Sequence, residues 1–120
     1  MSKITEAQEI LKALGLPAAQ QNEMSALTLL ALSRVKEDTP WAKATRTSQR
    51  ITKEIMAFVN ENYKAAAPYA PNTRETFRRQ VLHQFVQATV ANYNPDDPTM
   101  PVNSPKAHYA ITPEALTVVQ

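Results

Sequence analysis

The sequence has no cysteine and only one glycine among its 120 residues. Without cysteine there is no disulfide framework, no thiolate zinc site and no cysteine nucleophile. A P-loop needs two glycines and a dinucleotide-binding G-x-G-x-x-G loop needs three, so Gly15 alone cannot build either loop. The composition therefore excludes the usual nucleotide-dependent ATPases and dehydrogenases.

Long apolar segments and a signal sequence are also missing. The N-terminal residues 1–6 include neither a basic stretch nor an apolar core, and no segment approaches the roughly 18 apolar residues of a membrane span. We expect a cytoplasmic protein with no membrane partner. The length suits one domain, and we expect residues 1–120 to form it.

Nine prolines fall between the apolar segments, and they mark the expected boundaries of the secondary-structure elements. Helical spacing predicts a helix near residues 4–14, ended by Gly15, and a second helix that is capped by Asn22 and ends around Val35. The second helix has few polar positions, so we expect it to be the most buried. Thr39 as N-cap and Pro40 as first helical residue predict a short helix that carries Trp41.

The middle of the chain has the pattern of a helix-turn-helix. A brief strand is predicted at 48–51, a helix at 52–63, a turn at 64–70, and a second helix capped by Asn72, with Glu75 completing a capping box. Apolar residues on one side of this second helix predict its inward face: Phe77, Val81, Leu82, Phe85, Val86 and Ala88.

The opposite face of the same helix is polar and has no acid. It contains Thr73, Thr76, Arg79, Gln80, His83 and Gln87. Soluble surfaces usually intersperse both signs of charge, whereas a stripe without acids suits contact with DNA phosphates and base edges. The alternative is an ordinary exposed polar face.

Positive charge is concentrated around this helix. Residues 41–87 hold eight Lys and Arg against three Glu, a local net charge of +5, whereas residues 1–40 carry −1 and residues 88–120 carry −2. This distribution predicts one anionic partner.

Side-chain chemistry suggests different roles for these polar and basic residues. Arg79 and Gln80 suit the edges of guanine and adenine. Arg50, Lys53 and Arg74 lie near helix starts, where phosphates bind, although Arg74 and Arg78 could instead pair with Glu75. His83 could contact DNA or remain solvated, and His108 is expected to be structural. Two His residues without Cys make a weak metal site, and we expect neither a bound metal nor a catalytic site in this chain.

Two strand-like segments, 90–93 and 108–111, predict a β-hairpin wing, and Thr112-Pro113-Glu114 predicts a last short helix. The acidic tip, Asp96-Asp97, is unlike a phosphate-binding wing, so the wing either presents Asn103, Ser104 and Lys106 to DNA or faces a neighbouring domain. The predicted fold is mainly α, a winged helix-turn-helix with additional N-terminal helices and a small β-hairpin wing.

Several stretches resemble the N-terminal helix-turn-helix domain of the BsuBI/PstI-type restriction endonucleases. They are ILKALGLP at 10–17, QQNE at 20–23 with SALTLLAL at 25–32, YAPNTRET at 69–76 with RRQ at 78–80, and NPDDP at 94–98 with PVNSPK at 101–106. The last pair is the most specific, because winged helices in general do not share that hairpin tip.

The resemblance implies a type II restriction enzyme: a Mg²⁺-dependent endonuclease that cuts both strands of a short palindrome, with catalysis in a separate C-terminal nuclease domain of the PD-(D/E)xK type. Pro95-Asp96 is the only Pro-Asp pair and no acidic-x-Lys follows it, so we expect that domain to lie outside this chain. The expected partners are double-stranded DNA, the nuclease domain and a second subunit. A protein-interaction or dimerisation winged helix and a free-standing transcriptional regulator remain as alternatives.

Overall fold

The computed structural model describes residues 2–95 and 107–120, which are mainly helical with one small sheet. In chain order the elements are α1 (Lys3–Ala13), α2 (Glu23–Ser33), β1 (Gln49–Arg50), α3 (residues 51–62), α4 (residues 71–87), β2 (Ala91–Tyr93), β3 (His108–Ile111) and α5 (Pro113–Val119). Single 3₁₀ turns at Ala18–Gln20 and Trp41–Lys43 lie in the connections.

Gly15 stops helix α1, as predicted, two residues after its last helical residue, Ala13. Gly15 has φ +89°, a left-handed conformation that side chains with a Cβ rarely adopt. Its N–H donates to Lys12 O and the N–H of Leu16 donates to Leu11 O, which is the Schellman arrangement that satisfies the last carbonyls of a helix.

Helix α2 is the centre of the core. Asn22 caps it as predicted, since its Oδ1 accepts from the N–H of Ser25 at 2.8 Å. Every residue from Ser25 to Ser33 is buried, which confirms the prediction for this helix. The helix ends at Ser33, with Arg34 left-handed at φ 58°.

The helix predicted at Thr39-Pro40-Trp41 is a single 3₁₀ turn, and its predicted start was wrong. Pro40 is extended, with ψ 146°, and the turn begins at Trp41. With the chain extended through Pro40, the indole Nε1 of Trp41 reaches α1 and donates to Glu6 Oε1 at 2.9 Å.

The turn between α3 and α4 is fixed by one side chain. Asn60 Nδ2 donates to Tyr69 O at 3.1 Å, and the N–H of Tyr69 donates to Asn60 Oδ1 at 2.8 Å. The Tyr69 ring then meets the Phe77 ring of α4 edge to face, with centroids 5.3 Å apart. These contacts set the position of α4 against α3, and the two helices form the predicted helix-turn-helix.

The predicted cap of α4 was wrong. The helix begins at Pro71, one residue before Asn72, after an extended Ala70 with ψ 153°. Proline disfavours a helical residue before it and suits the first helical position itself. Asn72 therefore lies inside the first turn, where no side-chain cap forms, and Glu75 completes no capping box.

The sheet confirms the predicted hairpin. Strands β2 and β3 pair antiparallel with Tyr93 opposite Tyr109, and β1 pairs with the other side of β3, which gives the order β1-β3-β2. Buried Gln49 of β1 donates from Nε2 to Ala31 O at 2.9 Å and so joins the sheet to the end of α2. The hairpin tip, residues 96–106, lies outside the described residues.

One hydrophobic cluster includes residues from all five helices. Helix α4 contributes four fully covered side chains from its predicted inward face, namely Phe77, Val81, Leu82 and Phe85. Within residues 2–95 and 107–120, no helix is long and apolar enough to cross a membrane.

Candidate nucleic-acid interface

The outward face of α4 is the surface that the sequence singled out. Arg79, Gln80, His83 and Gln87 are exposed on it, while Thr73 and Thr76 are half-buried. These six residues are called the α4 stripe below. Arg79 is the most open of the ion-paired basic side chains of α4, with 74% of its side chain exposed. The stripe has the donors and acceptors that base edges and phosphates require.

Glu75 borders the α4 stripe and contacts three arginines. Its carboxylate lies 2.6 Å from Arg78 Nη2, 3.0 Å from Arg74 Nη1 and 3.5 Å from Arg79 Nε. The sequence left open whether Arg74 and Arg78 pair with Glu75, and in the structure both do. The hydrogen bond from Arg78 lowers the pKa of Glu75, and the charges of Arg78, Arg74 and Arg79 act in the same direction. The same hydrogen bond raises the pKa of Arg78.

A pocket of about 350 Å³ separates α4 from the wing strands. Its lining includes Arg78 and His83 from α4 and two tyrosines from the hairpin, Tyr93 and Tyr109, whose rings lie 6.3 Å apart. Burial raises the pKa of Tyr109, against the opposing effect of Arg78, so its hydroxyl remains protonated at neutral pH. Sequence reasoning missed these tyrosines, because the register that places Tyr93 opposite Tyr109 is one residue away from the pairing that the predicted segments 90–93 and 108–111 imply.

Sequence reasoning also missed Arg46. Its Nε donates to Ile111 O at 2.7 Å and its Nη2 donates to Asn92 Oδ1 at 3.3 Å, so its guanidinium is anchored on the sheet although the residue is exposed. It also lines a groove along β2. The only sequence signal was its contribution to the local positive charge.

The other predicted phosphate contacts lie at the start of α3. Arg50 is half-buried on β1, and its backbone N–H donates to Glu54 Oε1 at 3.0 Å, while Lys53 is exposed in the first turn of the helix. Within the described part of the chain, no hydrogen bond or ion pair links Arg50 or Lys53 to the α4 stripe. The two predicted wing contacts, Asn103 and Lys106, lie outside the described residues.

No group of three His, Cys, Asp or Glu among residues 2–95 and 107–120 could hold a metal ion. His108 lies half-buried in β3, where its backbone N–H donates to Asn94 Oδ1 at 2.9 Å. The described residues therefore do not fit the Mg²⁺ site of a nuclease.

The helix-turn-helix of α3 and α4, followed by a hairpin that pairs with β1, defines a winged helix-turn-helix domain. Residues 1–120 match the family described as the BsuBI/PstI restriction endonuclease HTH domain, and the chain belongs to that family.

Two curated relatives and one solved structure agree with this assignment. The chain is 52% identical over 119 residues to the type II restriction enzyme BsuBI of Bacillus subtilis, covering 99% of this chain and 37% of the relative. It is 36% identical over 115 residues to the type II restriction enzyme AplI of Arthrospira platensis, covering 96% and 34%. The structure of the SdaI restriction endonuclease superposes with a TM-score of 0.89 at 34% identity, covering 98% of this chain and 36% of that one. The chain thus spans about a third of the length of the relatives it matches.

Proposed function

We propose that residues 1–120 form one domain that recognises DNA for a type II restriction endonuclease. The observation that carries this proposal is the α4 stripe, an exposed surface without acids on the second helix of a helix-turn-helix. The names of the relatives, type II restriction enzymes, support it.

In this proposal α4 enters the major groove, where base pairs present distinct donors and acceptors. Arg79 and Gln80 read guanine and adenine edges, and Thr73, Thr76 and His83 add hydrogen bonds. Arg50 and Lys53 bind phosphates and fix the position of the domain on the duplex, while Arg74, which pairs with Glu75, adds to the positive charge beside them. Asn103 and Lys106 of the wing contact the same DNA.

The parts of the enzyme beyond this domain complete the proposed function. A C-terminal nuclease domain supplies the Mg²⁺-dependent cleavage of both strands, and a second subunit supplies the two-fold symmetry that a palindromic site requires. The cytoplasm is the proposed compartment, as the sequence predicts.

The proposal is tested by selection from a random-sequence duplex library with the purified 120-residue chain. We expect one enriched sequence, called the selected duplex below, and binding that weakens as salt rises because phosphate contacts release counterions. Fluorescence anisotropy on the selected duplex and on a scrambled duplex of equal composition measures the preference. Failure to bind any duplex at low salt would favour the protein-interaction winged helix, and a reading frame that ends at Gln120 would favour a transcriptional regulator.

A further inference from the structure

Glu75 is the one acid among the described α4 residues, and it lies where a reading surface would be expected to avoid negative charge. It caps nothing, and half of its side chain is exposed. The contact with Arg79 joins two exposed side chains, and such surface ion pairs contribute a median of about 0–1 kcal/mol to stability. Helix stability therefore gives a weak reason for that contact.

The three contacts differ in kind. Arg78 donates to Glu75 through both Nε and Nη2, at 3.1 Å and 2.6 Å to the same oxygen, and only 18% of its side chain is exposed. Arg79 approaches less closely, with its shortest contact from Nε at 3.5 Å, and 74% of its side chain is exposed. Its two terminal nitrogens make no hydrogen bond within the described part of the chain.

We propose that Glu75 is a positioning residue that makes α4 selective for sequence, by neutralising Arg78 and holding Arg79 with its terminal nitrogens outward. This inference rests on the proposed function. A paired Arg78 is withheld from phosphates, which lowers affinity for DNA of any sequence. A guanidinium restrained at Nε keeps two parallel N–H donors for a guanine edge and loses less side-chain freedom on binding.

The test is Glu75→Gln, with Glu61→Gln as the matched control. Glu61 is exposed on α3 within the same basic segment, so its substitution removes the same charge without touching the arginines. Both variants and the unmodified chain are titrated against the selected and the scrambled duplex at several salt concentrations. We expect Glu75→Gln to strengthen scrambled-duplex binding, to steepen the salt slope by about 0.9, and to lower the selected-to-scrambled ratio about tenfold. Glu61→Gln should leave the ratio within about twofold.

A second measurement reports on the Arg78 side chain itself. In NMR spectra of the free chain, the Arg78 Nε–H should be protected from exchange in the unmodified chain and in Glu61→Gln, and less protected in Glu75→Gln, whose neutral amide oxygen accepts a weaker hydrogen bond. Equal ratios for the two variants, weaker selected-duplex binding without stronger scrambled binding, or unchanged Arg78 exchange would each overturn the role of Glu75 while leaving DNA recognition intact. No DNA binding by the unmodified chain would overturn both proposals.

Discussion

At the scale of single residues, exposure divides the basic side chains of α4 into two kinds. Arg74 and Arg78 are 21% and 18% exposed, whereas Arg79, which also contacts Glu75, is 74% exposed. Because a base contact requires a side chain that extends beyond the helix surface, Arg79 is the best candidate to read sequence.

Substituting Arg79 by Ala should weaken binding to the selected duplex by about 1–3 kcal/mol more than binding to the scrambled duplex, since a bidentate base contact is lost. Lys53→Ala is the comparison variant, because Lys53 is exposed at the start of α3 and, among the described residues, makes no hydrogen bond or ion pair with the α4 stripe. It should weaken both duplexes alike and reduce the salt slope by about 0.9. Anisotropy titrations at several salt concentrations measure both effects. Equal losses on the two duplexes for Arg79→Ala would show that α4 does not read bases.

The residue scale also shows what the sequence could and could not predict. The period of 3.6 residues was enough to separate the α4 stripe from the buried face. The role of Glu75 could not be predicted from the sequence. Glu75 lies three residues after Asn72 and three before Arg78, so its spacing fits both a capping box and an ion pair. The extended Ala70 before Pro71 decides between them. Arg46 reaches a carbonyl 65 residues away, which no local pattern encodes.

At the scale of elements, the turn of the helix-turn-helix depends on Asn60. Both hydrogen bonds of its side chain go to the backbone of Tyr69, across nine residues of chain. Asn60→Ala should therefore lower the free energy of unfolding by about 1–3 kcal/mol, because it leaves part-buried backbone groups unsatisfied. Urea denaturation measures the change.

Asn62→Ala is the control for Asn60, since its Nδ2 donates only to Phe58 O within the same helix, at 2.9 Å. We expect it to cost less than about 1 kcal/mol. A loss of stability as large as that of Asn60→Ala would mean that the turn contacts contribute nothing beyond an ordinary helix hydrogen bond.

The last helix depends on Thr112, which the sequence correctly gave as its start. Its Oγ1 accepts from the N–H of Ala115 at 3.1 Å and donates to Thr89 O at 2.8 Å, so it both caps α5 and joins it to the end of α4. Thr112→Ala should destabilise the chain by about 1–2 kcal/mol in thermal or chemical denaturation. Thr112→Ser retains the hydroxyl and should recover most of that loss. A serine variant as unstable as the alanine variant would point to the methyl group instead.

Helix boundaries were predictable where a local signal marks the start or the end of the helix. Gly15, Asn22 and Thr112 each act through their own backbone or through a residue three positions away, so their motifs are visible in the sequence. The Trp41 turn was misplaced because its partner, Glu6, belongs to another helix. The pairing of β1 with β3 was likewise absent from the sequence reasoning, since a two-residue strand has no periodicity of its own.

At the scale of the whole molecule, recognition and cleavage should separate. Within the described residues no set of side chains could hold a metal ion, so the purified 120-residue chain should bind the selected duplex without cutting it in Mg²⁺. A plasmid that carries the selected sequence, incubated with and without EDTA, provides the measurement. Mg²⁺-dependent double-strand cutting that persists through repurification would contradict this expectation.

The order β1-β3-β2 makes the last strand of the chain the middle strand of the sheet. During synthesis, β1 and β2 are made before β3, the strand with which both of them pair. Arg46 likewise cannot donate to Ile111 O until residue 111 has been made. The wing and the segment before α3 therefore become structured together and late, because both depend on contacts between residues far apart in the chain. When only the first hundred residues have left the ribosome, α1 to α4 have been made but β3 and α5 have not, so the sheet cannot yet form.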